Sequence, residues 1–273
     1  MGVVDLVVTG SGGRLGRILQ AGWADGRAPG LRPVWTGRGG PPPMRWDMLA
    51  DPPPIGLPQG ALVLHLAGAT RGAERDLQAN VDLVPPLLRM CRRIGARRLV
   101  VLSSAAVYPP GARLAETAAP DPPNAYGRSK AQAEALVRAQ SHTPVTILRP
   151  GNIAGADALL GPRAAGEIVL DPVPGRPGGP LRSWIGARVL AQALAALCRR
   201  DDLPPVLNLA QDPPLPMADL LEAAGLPWRY GETPAAVPVA TQDLGLLRSL
   251  LPLPPADPAR LAAEAAWARG VLA

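Results

Sequence analysis

Tyr126 and Lys130, in the stretch Asn124-Ala125-Tyr126-Gly127-Arg128-Ser129-Lys130, are of a type and spacing that can do chemistry. Residues four apart share one face of a helix. An ammonium held there lowers a phenol's pKa from its ordinary value of about 10 toward a working pH, which makes Tyr126 a candidate general acid and base. The same spacing also occurs as a plain solvated pair. What singles this pair out is its company: an apolar run ending in Ser103-Ser104 lies upstream, and a glycine-rich strand-turn-helix opens the chain.

That opening reads Thr9-Gly10-Ser11-Gly12-Gly13-Arg14-Leu15-Gly16. Gly10, Gly13 and Gly16 allow a sharp turn, a close approach to a pyrophosphate, and tight packing of the helix on the sheet. The helix N-terminus then offers free N–H groups and partial positive charge to phosphates. A dinucleotide site is predicted, with Gly12, Arg14 and Leu15 in the same turn. The second strand ends Val34-Trp35-Thr36-Gly37-Arg38, with no acid to take a ribose 2′-hydroxyl. Arg38, together with Arg14, therefore favours NADP over NAD, although Arg38 also reads as a surface arginine on a loop. Asp47, with Met48 beside it, is a candidate partner for the adenine amino group; a loop Asp serves equally as a turn or cap residue.

These residues need a scaffold, and the 273-residue chain is long enough for one sizeable domain. Apolar residues make up 47% and charged residues 18%, a globular balance. Phenylalanine is absent, so Leu, Val, Ala and Ile must build the core. The net charge of +6 comes from scattered arginines; the densest cluster, Arg92-Arg93 with Arg97-Arg98, reads as cations at a helix end. A nucleic-acid surface would need a longer basic stripe with interleaved aromatics, so no nucleic-acid partner is expected. The charge still suits anionic ligands such as phosphates. Cys91 and Cys198 sit in apolar helical patterns and read as small buried hydrophobes of a reducing compartment. His65 and His142 lack partners at metal-ligand spacing, so no metal is expected. No signal peptide and no membrane-spanning run is seen, and a cytoplasmic protein without a membrane partner is expected.

Apolar strand-like runs at 3–9, 32–36, 61–67, 98–104, 144–149 and 205–210 alternate with helical patterns at 13–24, 74–95, 124–140, 185–200, 216–224 and 257–270. Such alternation predicts an α/β fold: a Rossmann-like, doubly wound parallel sheet. Residues 151–183 are rich in Gly and Pro, and 211–273 hold helical patterns without a clear strand. The expected organisation is a dinucleotide-binding core of 1–150 plus about 184–210, with 151–183 and 211–273 forming a small helical substrate-binding cap beyond the strand ends. The runs Pro41-Pro42-Pro43, Pro52-Pro53-Pro54 and Pro213-Pro214 read as stiff loops.

In this order the motifs resemble those of the extended short-chain dehydrogenase/reductases, the NAD(P)-dependent epimerase/dehydratase family. The resemblance covers about 1–210 and is carried by Thr9-Gly10-x-x-Gly13-x-x-Gly16, His65-Leu66-Ala67-Gly68, Asn80-Val81, Ser103-Ser104-Ala105-Ala106-Val107-Tyr108, Tyr126-x-x-x-Lys130 and Arg149-Pro150-Gly151-Asn152-Ile153. Arg182-Ser183-Trp184-Ile185 resembles a later motif, without the acidic pair that usually follows. The resemblance implies that Tyr126 is the acid/base, that Lys130 lowers its pKa and bonds the nicotinamide ribose, and that Ser104 bonds the substrate oxygen. It further implies cofactor contacts at Leu66, Ala67, Gly68, Asn80 and Pro150; Ser104, Ala105, Asn152 and Arg182 are candidate substrate contacts. Arg182 suits a carboxylate or phosphate, or a structural ion pair. Relatives that eliminate water carry an Asp-Glu pair where Ala105 and Ala106 stand, which argues against 4,6-dehydratase chemistry. What is implied is an NAD(P)-dependent oxidoreductase or epimerase acting on a sugar or sugar-like substrate, the short cap suggesting a compact one. Some relatives bind the dinucleotide without turnover, as regulators or assembly subunits. Others pair through two long helices, here 74–95 and 124–140, so a homodimer is expected.

Overall fold

Nearly continuous apolar runs, which have no polar face to give to solvent, become strands buried on both sides. The computed structural model describes residues 2–39, 44–162 and 166–273; the Pro41-Pro42-Pro43 run lies outside them. The first half supplies β1 (Val4–Thr9), α1 (Arg14–Trp23), β2 (Leu31–Thr36), β3 (Leu62–His65), α2 (Glu74–Leu77), α3 (Ala79–Asp82), α4 (Val84–Arg93), β4 (Arg98–Leu102), β5 (Gly111–Leu114), α5 (Ala125–Gln140) and β6 (Val145–Pro150). There follow β7 (Asn152–Ala154), β8 (Ile168–Leu170), β9 (Leu181–Gly186), α6 (Ala187–Leu197), β10 (Val206–Leu209), β11 (Gln211–Pro216), α7 (Met217–Ala223), β12 (Trp228–Tyr230), β13 (Val239–Gln242), α8 (Gly245–Leu250) and α9 (Pro258–Leu272). No helix among the described residues is long and apolar enough to cross a membrane.

The six predicted strands form one sheet, ordered β10-β6-β4-β3-β1-β2, in which every pairing is parallel. Alternation along each strand sorts its residues between two layers. Leu6, Val8, Leu64, Val100, Leu102 and Leu148 pack toward α1 and α6. Val7, Val63, Leu99, Val101 and Ile147 pack toward α4 and α5. The chain leaves β1 for β2 on one side and returns to β3 on the other, so the topological switch point lies at the carboxyl end of β1.

Three expectations need correction. The helix predicted over 74–95 is three pieces, and α4 begins where Pro85 and Pro86 can occupy a first turn, since neither offers an N–H to a preceding carbonyl. The stretch 211–273 is not purely helical: β11 and β13 join β9 and β5 in a second sheet ordered β11-β9-β13-β5, with β7 also paired to β9, and β12 pairs with β8. Pro213-Pro214 lies within β11 rather than in a loop. Pairing to β9 uses only Gln211, Leu215 and Pro216, so the register passes over the two prolines. Trp184, Leu215, Leu221 and Leu261 form the core beneath this second sheet.

A buried ion pair ties α5 to the main sheet. Arg149 of β6 donates to Glu134 of α5 through Nε (3.1 Å) and Nη2 (2.7 Å), and both side chains are almost wholly buried, at 2% and 1% exposure. The Arg149 guanidinium also lies 4.7 Å from the Tyr108 ring centroid. Removing one member of such a pair leaves an uncompensated buried charge. Glu134→Gln is therefore expected to destabilise the fold by about 3–5 kcal/mol, read from the denaturant midpoint; a loss below about 1 kcal/mol, the worth of an exposed pair, would contradict this role.

Candidate functional site

At the carboxyl edge of β1 the chain turns through Gly10, whose φ is +80°. A β-carbon on Gly10 would stand 2.6 Å from the Ala67 amide nitrogen, so only glycine lets the turn sit against the end of β3. Gly13 caps α1 with no side-chain hydrogen bond. With no capping side chain at Gly13, the N-terminus of this ten-residue helix can present N–H donors and partial positive charge to an anion. The turn has the features a dinucleotide pyrophosphate needs.

A cavity of about 550 Å³ opens beside this turn. It gathers Gly13, Arg14 and Leu15 from the turn, Leu66, Gly68 and Asn80 from beyond β3, Ser104 and Ala105 from beyond β4, and Tyr126 and Lys130 from α5. Pro150, Asn152 and Arg182 complete the predicted residues on its wall. Gly10, Gly12, Gly16, Arg38, Asp47, Met48 and Ala67 do not line it. Arg38 is exposed just beyond β2. Asp47 accepts from the Leu49 amide at 3.1 Å and so serves its own turn. Met48 is buried in the layer under α4 and α5.

Asn124 caps α5, accepting from the Gly127 amide at 2.8 Å, and this fixes where Tyr126 and Lys130 emerge. Lys130 Nζ donates to the Leu102 carbonyl at 2.8 Å. Burial lowers its pKa from the ordinary 10.5 to about 8, against the raising effect of Glu134. Ser104 Oγ accepts from the Ala106 amide at 3.1 Å, and the Ser104 hydroxyl neighbours the Tyr126 phenol on the cavity wall and favours its phenolate. Burial raises the Tyr126 pKa; the neighbouring Ser104 hydroxyl and the charge of Arg14 pull it down. Without a ligand the phenol thus titrates above its ordinary value, not below it. Asn80 exchanges two bonds with Ala69 (3.0 and 2.9 Å) and donates to Ser129 at 2.9 Å, bracing α5 against the loop after β3. A β-carbon on Gly68 would meet Asn80 Oδ1 at 2.5 Å and stand 3.8 Å from Lys130 Nζ, so Gly68 keeps this corner open.

His65 is hydrogen-bonded to Thr9 Oγ1 at 2.7 Å, and burial holds its pKa at about 3, with Lys130's charge adding to the effect. It is a neutral strand residue. Arg182 donates to the carbonyls of Leu181 (2.9 Å) and Val237 (2.7 Å) and has no carboxylate partner among the described residues; burial lowers its pKa to about 10. No group of three or more potential metal ligands occurs among the described residues. Ser103 and Asp157 also lie on the cavity wall. Ser103 Oγ is buried without a hydrogen-bond partner. Asp157 has its pKa raised to about 6 by burial. Asp157 carried no signal because its approach to the cavity depends on the turn after β7, far from the other motifs.

A parallel sheet with an uncapped, glycine-fronted helix at its switch point defines a dinucleotide-binding α/β protein. A model described as the NAD dependent epimerase/dehydratase family matches residues 58–210, and the chain belongs to that family. No curated protein sequence matches it. Among solved structures it is similar to MoeE5 in complex with UDP-glucose and NAD, at 23% identity over 98% of this chain and 100% of the other, with a TM-score of 0.77. It is similar to RMD from Pseudomonas aeruginosa complexed with NADPH, at 22% identity over 98% and 99%, TM-score 0.78. A UDP-glucose-4-epimerase from Stenotrophomonas maltophila with bound NAD is 20% identical over 98% of each chain, TM-score 0.79. At these identities the likeness is one of fold.

Because the folded-state pKa of Lys130 lies below its ordinary 10.5, the folded chain holds a costly buried ammonium below about pH 8. Its contribution to stability rises with pH from about 8 toward 10.5, where the unfolded chain binds the extra proton. Lys130→Met is thus expected to melt higher than the parent at neutral pH, with the gap closing across that window; a gap independent of pH would contradict the shift.

Proposed function

We propose that the chain is an NAD(P)-dependent oxidoreductase or epimerase that acts at a secondary alcohol or carbonyl of a sugar-like substrate. The observation that carries the proposal is the convergence of Ser104, Tyr126 and Lys130 in one cavity with the N-terminus of α1. Bound NAD(P) would supply the hydride acceptor or donor. Tyr126 exchanges the proton of the reacting oxygen, and Ser104, beside the phenol on the cavity wall, holds that same oxygen. Lys130, anchored on Leu102, contributes a donor beside them and bonds the nicotinamide ribose. The turn from Gly10 to Gly16 and the start of α1 hold the pyrophosphate, with Leu66, Gly68, Asn80 and Pro150 against the rest of the cofactor.

The charged residues described on the wall are Arg14, Arg71, Lys130 and Arg182, against Asp157. This excess of cations favours an anionic substrate, with Arg182 and Asn152 on the anionic end. Residues 151–183 and 211–273 would close over it as the substrate-binding region. MoeE5, matched almost end to end, is described with UDP-glucose, so the extent of this chain does not separate a compact sugar acid from a nucleotide sugar. A nucleotide sugar is the reading we favour. Ala105 and Ala106 line the cavity where elimination of water would need an added acid and base, which supports redox or epimerisation over dehydration. For the cofactor we favour NADP: β2 ends in buried Thr36 followed by Gly37 and exposed Arg38, with no carboxylate at that place.

Tyr126→Phe should abolish turnover of NADP with a panel of UDP-sugars, followed by nicotinamide absorbance, while cofactor affinity stays within about fivefold, since one hydrogen bond is worth about 1 kcal/mol. Equal loss of both would sink the assignment, and binding without turnover even in the parent would favour a regulatory protein. Arg38→Ala should weaken NADP by about tenfold or more and leave NAD nearly unchanged; equal effects on the two, measured calorimetrically, would remove the NADP preference.

A further inference from the structure

Beyond β2 the chain comes back alongside the strand end and brings Arg45 there. Gly37 and Arg45 form an isolated parallel bridge, and the Trp46 amide donates to the Gly37 carbonyl at 3.0 Å. Trp46 is only 1% exposed and packs in the layer under α4 and α5, so it pins the returning segment. Its neighbour Arg45 is exposed, as is Arg38, the residue after Gly37. Two guanidiniums therefore stem from adjoining backbone at the carboxyl end of β2.

The glycine-rich turn reaches the same place. The Ser11 amide donates to the Thr36 carbonyl at 3.1 Å, and a β-carbon on Gly37 would stand 2.7 Å from Ser11 Oγ. A side chain at position 37 would have to push that hydroxyl aside; glycine leaves it uncovered on that side. Neither arginine, nor the Ser11 hydroxyl, makes an ion pair or side-chain hydrogen bond with a described residue. The carboxylates that follow in the chain are engaged with turn amides: Asp47 accepts from Leu49 and Asp51 accepts from Asp47, each at 3.1 Å.

We infer that Arg45 is a second cation, beside Arg38, for the 2′-phosphate of NADP, and that the Ser11 hydroxyl is a donor to the same phosphate. A phosphate monoester carries a charge of about −1.5 to −2 at neutral pH and three strong acceptor oxygens, so one guanidinium offsets only part of it. The guanidinium fork suits phosphate oxygens. A free ribose 2′-hydroxyl calls instead for a carboxylate acceptor, and guanidiniums can only donate. Spacing along the chain does not single out Arg45; its bridge to Gly37 does.

The inference deepens the NADP reading and rests on it, and its test needs no substrate. Calorimetric titrations with NADP and with NAD give both affinities. In Arg45→Gln, NADP should bind about tenfold more weakly while NAD stays within about twofold of the parent. Arg45→Lys keeps the charge and should recover part of that loss. Ser11→Ala should weaken NADP about fivefold, the worth of one hydrogen bond, and spare NAD. Added salt should weaken NADP more than NAD in the parent, and this difference should shrink in Arg45→Gln, because exposed charges are screened. If the parent prefers NADP but Arg45→Gln binds it unchanged, or loses NAD equally, the inference is overturned and the NADP reading stands. NADP affinity unchanged in Ser11→Ala removes Ser11 from the site. A parent that binds NAD at least as tightly as NADP overturns the NADP reading and this inference with it.

Discussion

Glu134 reaches from α5 to Arg149 of β6 inside the protein, and the position of the reactive helix depends on that contact. Arg149 in turn lies over the Tyr108 ring, whose hydroxyl donates to Asn208 at 2.9 Å. Asn208 Nδ2 donates to the Leu114 and Asp243 carbonyls, and Gln242 Nε2 donates to the Arg149 carbonyl and to Asn208 Oδ1. The network therefore runs from α5 through the main sheet into the strands of the second one. Buried polar networks of this kind are costly where partly satisfied, and in this one Gln242 Oε1 is left without a partner. Here it fixes α5 so that Tyr126 faces Ser104 and Lys130 reaches Leu102.

With that helix fixed, the remaining parts of the site follow from where strands end. In a parallel sheet the helix N-termini and strand carboxyl ends share one edge, so phosphate-binding donors and proton-transferring side chains meet there without further design. Small residues keep the edge open: Gly10 against Ala67, and Gly68 against Asn80 and Lys130. Cations outnumber the one described acid on the cavity wall, a balance in line with the chain's overall net charge of +6.

The parts of this arrangement carried by local pattern were legible in the sequence. The apolar runs gave all six strands of the main sheet, and the motif spacings located the turn, Ser104, Tyr126 and Lys130. What was not legible depends on partners distant in the chain. β11 reads as a proline-rich loop because Asp212-Pro213-Pro214 offers few donors; it is a strand only because Gln211 and Leu215 find β9. β13 is four residues long, ends in buried Thr241 and Gln242, and gains its place by lying between β9 and β5. Arg14 was assigned to phosphates from its turn alone, whereas its bonds to Thr70 and Ala156 exist only once three segments have come together. Asp47 shows the opposite limit: of its two readings, adenine partner or turn residue, its bond to the Leu49 amide fits the local one.

The most direct measurement is a crystal structure of the protein grown with NADP. Density with phosphates at the start of α1 and the nicotinamide beside Ser104 and Tyr126 is expected. A dinucleotide lying elsewhere on the protein, or one whose reactive ring is turned away from the tyrosine hydroxyl, would contradict the central claim that these side chains act on a substrate held against the cofactor.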